Sequence, residues 1–473
     1  MPQHNDSKAD SFQITTDIIL TDFSGNTYSF SGKNPLVSVL NITIFESIEF
    51  PYMQAELNVV DIGFNLISQI PITGMEKITF GIKTPYFSDQ EYKFDFRIYG
   101  VSNRTAYNKL HKYTLNLISF EGLQNEMLRI GKVMEGYGHE MVQKIMKETF
   151  KTKKKIDVTD VCSYKLKLIP RNLRPFEFIY SILSKCISKS IGSKTPITNA
   201  ITTTKNPKLQ SSKQSSDATD ATPKENLFGS AGYFFWETYD GYIFKSIDTL
   251  CNPSSEKNIP VYAYKNYNPD PGYSIIEYQY TTEIDLMKKF RAGTYSSMIV
   301  FFNPSSGIYQ EFLYDINSSY KSMNHLGKDE EIPPAIQEFS KYPTRIMTQF
   351  PDSETYYNGT GIPDHSDHPD YRQYYMCQSI ARKFLLKNQE LHITVTGNLS
   401  LRAGDKINVL LPNYLADNLK PPSEQYDKMN SGLYLIKSIS YNFSLKNNDK
   451  INTGQCDIFL IRDSLGAFTV QTT

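Results

Sequence analysis

The first part of the chain alternates between hydrophobic and polar residues, which is the period of β-strands that bury one face. Six such runs begin at Phe12 and continue at 36–46, 55–61, 77–83, 92–99 and 112–120. No long helical pattern interrupts them. The pattern therefore predicts a compact antiparallel barrel or sandwich over residues 12–120.

The hydrophobic period then becomes helical in two segments. Their apolar residues lie at 141, 142, 145, 146 and 150 and at 178, 179, 182, 183 and 186. Pro175 stands near the start of the second helix, where a missing N–H costs nothing. The basic run KTKKK at 151–155 lies between the two helices. A phosphate contact is one reading of that run, but lysines beside a helix C-terminus are usually solvated, and we interpret it so.

Residues 193–226 differ in composition from the rest of the chain. Twelve of these 34 residues are Ser or Thr, five are Lys and none is aromatic. Such a segment buries too little apolar surface to offset the entropy of ordering. We expect a flexible insertion, and a partner-binding arm is the alternative.

Two aromatic β runs flank Asp240-Gly241, a favoured pair for a tight hairpin turn. Residues 252–369 are rich in Tyr, Asn, Ser and Pro, with strands predicted at 297–302 and 308–314 between long connections. A short helix follows at 373–387.

Alternation returns in the last part of the chain. Leu391, Ile393 and Val395 alternate with polar residues, and further runs lie at 407–411, 433–443 and 456–462. We expect the 233–247 hairpin to join this second set. The predicted fold class is α+β, dominated by β, with two small antiparallel barrels and a mixed, partly helical region.

Composition narrows the functional classes. Aromatic residues reach 13%, with 33 Tyr and 28 Phe, and such rings favour strands. Lys plus Arg and Asp plus Glu are both 50, so the formal net charge is zero and a dedicated nucleic-acid binder is not expected. No stretch approaches about 18 consecutive apolar residues, and the polar N-terminus lacks the apolar core of a signal peptide.

Candidate chemistry is sparse. The five cysteines (Cys162, Cys186, Cys251, Cys377, Cys456) form no CxxC pair, which favours synthesis in a reducing cytosol, and Cys186 has the apolar context of core packing. His365 and His368 lie among three carboxylates (Asp364, Asp367, Asp370), a spacing that can hold a divalent metal, but a loop of this composition is usually a solvated turn. His392 is interpreted as a surface residue of a strand.

No nucleotide-binding, GxSxG or HExxH motif occurs, and no carboxylate is distinguished by its neighbours. A glycosidase-like carboxylate pair stays open on sequence alone. We predict no catalytic, cofactor-binding or metal-binding residues, no cofactor and no enzymatic activity.

Several of these segments, taken in order, resemble a known family. They are ESIEFPY (46–52), LNVVD (57–61), IPITGMEKI (70–78), RPF (174–176), FWETYDGYIFKSID (235–248), GNLSLRAGD (397–405), GLYLI (432–436) and RD (462–463). This succession resembles the central baseplate hub protein of contractile-tailed bacteriophages, which is related to the hub part of type VI secretion spike proteins. The resemblance runs over residues 12–466.

The resemblance implies two barrels of the tail-tube type and a homotrimeric ring with a central channel. Its pseudo-sixfold face would dock the tail tube or its initiator, and its threefold face the central spike protein. Other baseplate proteins are further expected partners, and DNA would pass through the channel without specific binding. The expected location is the virion tail baseplate, after synthesis in the host bacterial cytoplasm.

The resulting division of the chain has seven parts. They are a tail (1–11), a first tail-tube-like barrel (12–120), a helical or mixed domain with the insertion (121–231), the hairpin (232–262), a mixed region (263–388), a second barrel (389–466) and a tail (467–473). Two other functions stay open: the hub of a phage-like injection or secretion particle, and a tail-associated cell-wall hydrolase.

Overall fold

The structure is a computed structural model. It describes residues 9–30, 37–62, 66–70, 72–108, 110–163, 165–189, 202–203, 231–252, 259–264, 270–282, 285–303, 308–318, 320, 323–327, 337–338, 340–349, 375–414, 426–445 and 452–464. The loop 364–370 and nearly all of the 193–226 insertion lie outside these residues.

The six strands predicted at the start of the chain are all present. The elements of this first module are β1 (Gln13–Thr21), β2 (Thr27–Ser29), β3 (Val37–Ser47), β4 (Gln54–Ile62), α1 (Leu66–Gln69), β5 (Lys77–Lys83), β6 (Tyr92–Tyr107) and β7 (Leu110–Ile118). Their order in the sheet is β2-β1-β5-β6-β7-β4-β3. Alternate residues, such as Ile42 and Ile44, are buried, while their neighbours lie on the other face.

A helical region follows, as its hydrophobic period predicts. Its elements are α2 (Phe120–Met127), β8 (Met134–Tyr137), α3 (Gly138–Lys144), a π-helical turn (Ile145–Thr149), β9 (Ile156–Asp157), β10 (Lys165–Leu168), α4 (Pro175–Leu183) and β11 (Thr202–Thr203). Pro175 is the first residue of α4, and Cys186 packs in the core that α3 and α4 share.

The aromatic hairpin has the predicted turn but different neighbours. Its strands β12 (Tyr233–Thr238) and β13 (Gly241–Ser246) pair with β9 in a separate three-stranded sheet, and α5 (Ile247–Cys251) follows. The sequence predicts that the hairpin joins the second barrel, but its strands pair outside the barrel. Its rings at Phe235 and Tyr242 stack on each other beside Phe176 of α4, whereas Trp236 packs with Leu435 of the C-terminal strands.

The remaining elements complete a second module and a small peripheral unit. They are β14 (Val261–Tyr264), β15 (Ser274–Thr282), α6 (Leu286–Ala292), β16 (Ser296–Asn303), β17 (Ile308–Asp315), β18 (Arg345–Gln349), α7 (Tyr375–Leu385), β19 (Gln389–Thr396), β20 (Lys406–Leu410), β21 (Gly432–Ser444) and β22 (Thr453–Arg462), with short 3-10 turns at Pro271–Tyr273 and Ile316–Ser318. Strands β11, β16, β17 and β18 form the peripheral sheet.

The second module is a closed barrel of six strands in the order β14-β20-β21-β22-β19-β15, with β15 returning to β14. Two features differ from the sequence-based prediction. Strand β15 comes from the region predicted as mixed and β14 from its boundary with the predicted hairpin segment, and β14 runs parallel to both of its neighbours. The first module stays open among the described residues, where no pairing joins β1 to β3. The fold class is nevertheless α+β dominated by β, as predicted.

Candidate assembly interface

One antiparallel sheet runs through both modules. Its eight strands follow the order β6-β7-β4-β3-β21-β22-β19-β15, and every neighbouring pair is antiparallel. The modules meet where residues 41–47 of β3 pair with residues 438–444 of β21. We call this the spanning sheet. Its buried face belongs to one continuous hydrophobic core that both modules share.

The two modules repeat one strand arrangement. In chain order, β3, β4, β5, β6 and β7 of the first module correspond to β15, β19, β20, β21 and β22 of the second, and the corresponding strands have the same neighbours. In each module the last two strands form a hairpin, β6–β7 or β21–β22. The strand that precedes the hairpin, β5 or β20, pairs only with the first part of β6 or β21. The chain is therefore a tandem of two equivalent β modules.

The register of pairing repeats as well. One row of paired residues in the first module contains Lys77, Arg97, Ile118, Gln54 and Phe45. The equivalent row in the second module contains Lys406, Leu435, Ile461, Glu390 and Thr282. Both long strands then carry a β-bulge at the same place, between Ile98 and Gly100 in β6 and between Ile436 and Ser438 in β21. Corresponding residues can therefore be assigned one by one.

The face of the spanning sheet opposite the core is mostly polar and uncharged, and the same register also places Phe45 and the partly exposed Phe459 on it. The hydroxyl and amide side chains on it are those of Ser38, Asn41, Thr43, Ser47, Gln54, Asn58, Ser102, Thr114, Asn116, Gln279, Thr394, Ser438, Ser440, Asn442, Ser444 and Gln455. Glu56, Glu277, Glu390 and Asp457 lie on the same face with Arg97, Lys112 and Lys437, whose ammonium lies 4.0 Å from Glu390, so these charges have a small acidic excess.

Many of these polar side chains bond to one another across strands. In the first module, the Thr114 hydroxyl donates to Asn58 Oδ1 at 2.8 Å and the Asn116 amide donates to Ser102 at 3.1 Å. In the second, Asp457 accepts from Thr394 at 2.7 Å and from the Asn442 amide at 2.7 Å. Groups satisfied in this way have little tendency to bind a passing solute.

Each end of the spanning sheet is a strand with an unpaired edge. Strand β5 covers β6 only to Arg97, and the backbone of Met75 and Glu76 bonds Ile98. At the other end, β14 covers β15 only at Ser274 and Ile275. Beyond these contacts, residues 99–107 and 276–282 pair with one neighbour each within the described part of the chain. Unpaired edges of this length are templates for strand addition.

The motifs at 46–52, 235–248 and 397–405, far apart in sequence, meet beside the junction of the two modules. Glu46 is fully buried and accepts hydrogen bonds from the backbone N–H of Tyr239 at 2.9 Å and of Ala403 at 3.3 Å. The Trp236 indole donates to the Ala403 carbonyl at 2.9 Å, and Arg402 Nε donates to Asp240 at 2.8 Å. These residues fix the hairpin and the 397–405 turn to β3.

Burial raises the pKa of Glu46 to about 7, and the nearby Arg402 guanidinium only partly offsets it. The folded protein therefore holds this proton up to about pH 7, whereas the unfolded chain loses it near pH 4.5. We expect stability to fall as pH rises between these values, by at most about 3 kcal/mol. Urea unfolding of wild type and Glu46→Gln from pH 5 to 8 measures the effect. The variant should show a flatter profile, and parallel profiles would contradict the assignment.

A second buried charge cluster ties α7 to the end of β22. Arg382 donates to Asp248 at 2.9 Å and lies 3.4 Å from Asp463. Asp463 also contacts His325 Nδ1 at 2.7 Å and accepts the Leu326 N–H at 2.9 Å. Burial alone would raise the pKa of Asp463, but His325 and Arg382 hold it below its ordinary value. The cluster is a structural clamp.

The other motif residues also stabilise local structure. Glu76 closes its turn by accepting the N–H groups of Thr73 at 2.7 Å and Gly74 at 3.0 Å. Arg462 is buried over the Tyr434 ring and donates to the Ser431 carbonyl at 3.0 Å. The sequence does not indicate these roles, because the bonding partner of a buried arginine or carboxylate leaves no local signal.

The basic run at 151–155 divides into two kinds of lysine. Lys151, Lys153 and Lys155 are exposed, as a solvated helix end requires. Lys154 instead forms ion pairs with two buried carboxylates, Glu121 at 2.6 Å and Glu237. Lys154 therefore joins α2 to the hairpin and is not part of a phosphate-binding surface.

Of the candidate chemistry named from the sequence, the structure brings together Cys162 and Cys186, whose side chains interact beside His139 in the core of the helical region. His365, His368 and their carboxylates lie outside the described residues, so their interpretation as a solvated turn stays a prediction. All five cysteines are buried and free. Within the described residues, no group of three or more His, Cys, Asp or Glu side chains is arranged to hold a metal ion, and no helix has the length and apolar character to cross a membrane.

No family model matches the chain, and no curated protein matches its sequence. Among solved structures, it is similar to a tail protein from Neisseria meningitidis MC58 (9% identity, TM-score 0.47, 96% of each chain). It is similar to the 43 kDa tail protein of prophage MuSo2 from Shewanella oneidensis (10%, 0.48, 94% of this chain and 98% of that one). A third neighbour is the E. coli c3393 protein, a type VI secretion component (10%, 0.41, 96% and 77%).

These three neighbours are two tail proteins and one secretion-system component. Their sequence identities of 10% and below and TM-scores below 0.5 leave the function to be inferred from the geometry of this chain.

Proposed function

We propose that the chain is a structural subunit of the baseplate hub of a contractile phage tail. Three copies form a pseudo-sixfold ring that joins a threefold central spike to a sixfold tail tube and leaves a channel for DNA. The subunit works through interfaces with these partners and with other baseplate proteins, and we propose no catalytic role. The observation that carries the proposal is the tandem of two equivalent modules in one spanning sheet.

The junction inside one chain is the model for a contact between chains. Strand β3 pairs with β21, and these strands correspond to β15 and β6. The two unpaired edges of the spanning sheet are therefore the equivalents of the two edges already joined within the chain. A contact between different edges is head-to-tail, and repetition of such a contact gives a closed ring when the rotation permits.

The register of pairing gives the strands of the spanning sheet a tilt that suits a closed ring. The row of paired residues that contains Arg97 and Phe45 meets β21 at Ser440. The residue of β21 that corresponds to Arg97 is Leu435, so the register shifts between one module and the next. Allowing for the bulge, each module shifts the register by about four residues, or about 14 Å, across four strands that span about 19 Å. The resulting tilt of about 36° lies within the range of closed β-barrels.

The polar face supports the channel. In such a ring the core face points toward the body of each module, so the opposite, mostly polar face lines the opening. A wall of bonded hydroxyl and amide groups, in which acidic side chains outnumber the basic ones, has few basic sites to retain DNA phosphates. Two modules in each of three copies then present six similar units to a tail tube.

The solution mass tests the proposal. A trimer of 54.2 kDa chains has a mass of 3 × 54.2 = 162.6 kDa. We expect light scattering to give this mass, and negative-stain images of the same peak to show a ring with a central hole. A particle of another symmetry, or a chain that stays monomeric alone and with its spike, would contradict the proposed function.

A further inference from the structure

The unpaired edge of β6 belongs to a projecting arm, residues 99–107. Residue exposure rises along it, and Tyr99, Val101 and Tyr107 are exposed, Tyr107 by 76%. The segment 98–119 contains Arg104, Lys109 and Lys112 and no acidic residue. An exposed, basic, tyrosine-bearing strand edge has the composition of a protein interface.

The unpaired edge of β15 carries complementary features. Tyr278 and Tyr280 lie on its core-facing side, with Tyr264 of β14 5.3 Å from Tyr278 between ring centres. Tyr280 is 41% exposed, and Tyr414 beside Tyr278 is 73% exposed. We call these four residues the tyrosine patch. Glu277 and Asp285 are exposed nearby, and residues 274–285 contain no basic side chain.

The backbone groups of both edges point outward at defined residues. The backbone of Ile98 bonds residues 75 and 76, so its N–H and C=O point away from β7. Its partner Leu117 has the same backbone orientation as Leu115. Val101, which is opposite Leu115, therefore directs its N–H to the unpaired edge. The N–H of Gly397 bonds Gly454 of β22, and the backbone orientation alternates along β19 from Gly397 to Leu391, which therefore also faces β22. Tyr280, which is opposite Leu391, directs its N–H to the unpaired edge of β15.

We propose that the β6 arm of one copy adds as an antiparallel strand to β15 of a second copy and docks on its tyrosine patch. The internal junction fixes the register, because Phe45 pairs with Ser440 and these residues correspond to Thr282 and Ser102. Thr282 then lies opposite Ser102, and Arg104 lies near Tyr280, within the reach of a cation–π contact. This inference rests on the proposed function and names the residues of its ring contact.

Edge-blocking prolines test the seam. Val101→Pro removes an N–H that points away from β7, and Tyr280→Pro does the same on β15. Each variant keeps one intact edge, so we expect each alone to be a 54.2 kDa monomer where wild type is a trimer. Mixed in equal amounts, they should form one heterodimer of 2 × 54.2 = 108.4 kDa that does not extend. Val101→Thr and Tyr280→Phe, which keep the N–H groups, should remain trimeric.

Circular dichroism and Trp236 emission identical to wild type establish that each proline variant is folded. Proline variants that still form trimers would overturn the seam and leave the ring intact. Folded variants that stay monomeric when mixed would overturn the head-to-tail pairing of these two edges. A wild-type chain that never trimerises would overturn the proposed function together with the seam.

Discussion

Replacing Arg382 by Met is expected to lower the free energy of unfolding by about 3–5 kcal/mol. The side chain is 1% exposed and its guanidinium faces two buried carboxylates, Asp248 and Asp463. Removing the positive charge leaves both carboxylates desolvated, with His325 as the remaining ionisable partner of Asp463. Urea unfolding followed by the emission of Trp236 measures the loss, since the Trp236 side chain packs in the neighbouring core with Leu326 and Leu386.

Two comparisons isolate the buried charge as the cause. Arg97→Met removes an arginine paired with the half-exposed Asp95 and should cost less than about 1 kcal/mol. The triple variant Arg382→Met, Asp248→Asn, Asp463→Asn removes all three charges and should recover part of the stability. If the single and triple variants were equally unstable, the loss would come from packing.

The sequence predicted most strands because their signal is local. In β3 and β4 each buried residue alternates with a residue on the polar face, and this period of two can be read without knowing any partner. Strands β19, β21 and β22 show the same period of two. The two helices show a helical period instead, and Pro175 lies at the start of the second helix. These elements are confirmed.

The sequence could not predict which distant segments pair. Strand β14 is four residues long and is held by parallel contacts to β15 and β20, a pairing with no hairpin turn to announce it. The destination of the β12–β13 hairpin was equally hidden, because both of its faces are buried and its alternation did not identify a partner.

The sequence predicts two β modules but not the residue-by-residue equivalence between them. Equivalent positions hold residues of different chemistry: Arg97 corresponds to Leu435, and Gln54 corresponds to Glu390. What the modules share is backbone register, strand order and the position of a bulge. Backbone pairing tolerates such substitutions provided that the alternation of buried and polar faces is kept. The candidate interface was therefore accessible only from the structure.

Replacing Trp236 by Ala is expected to cost about 3–5 kcal/mol, because it removes the largest buried side chain at the module junction. The indole packs with Ile48 and Leu435, one from each module, and its N–H satisfies the Ala403 carbonyl. The loss should appear in urea unfolding followed by circular dichroism, since Trp236 is the only tryptophan. Trp236→Phe keeps most of the ring volume but leaves the Ala403 carbonyl unpaired, and should lose about 1–3 kcal/mol.

Gly404 provides an independent control for the same contact. Its φ is +92°, and a Cβ at this position would lie 2.5 Å from the Trp236 ring, so Gly404→Ala must displace the indole. Gly25 has a similar φ of +86° with no atom within 4 Å of its Cβ position, so Gly25→Ala carries the backbone strain without the collision. We expect Gly404→Ala to be much less stable than Gly25→Ala and to shift the Trp236 emission. Equal stability of the two glycine variants would mean that the indole is not held against the 397–405 turn, and the cost of Trp236→Ala would then have to arise elsewhere in its pocket.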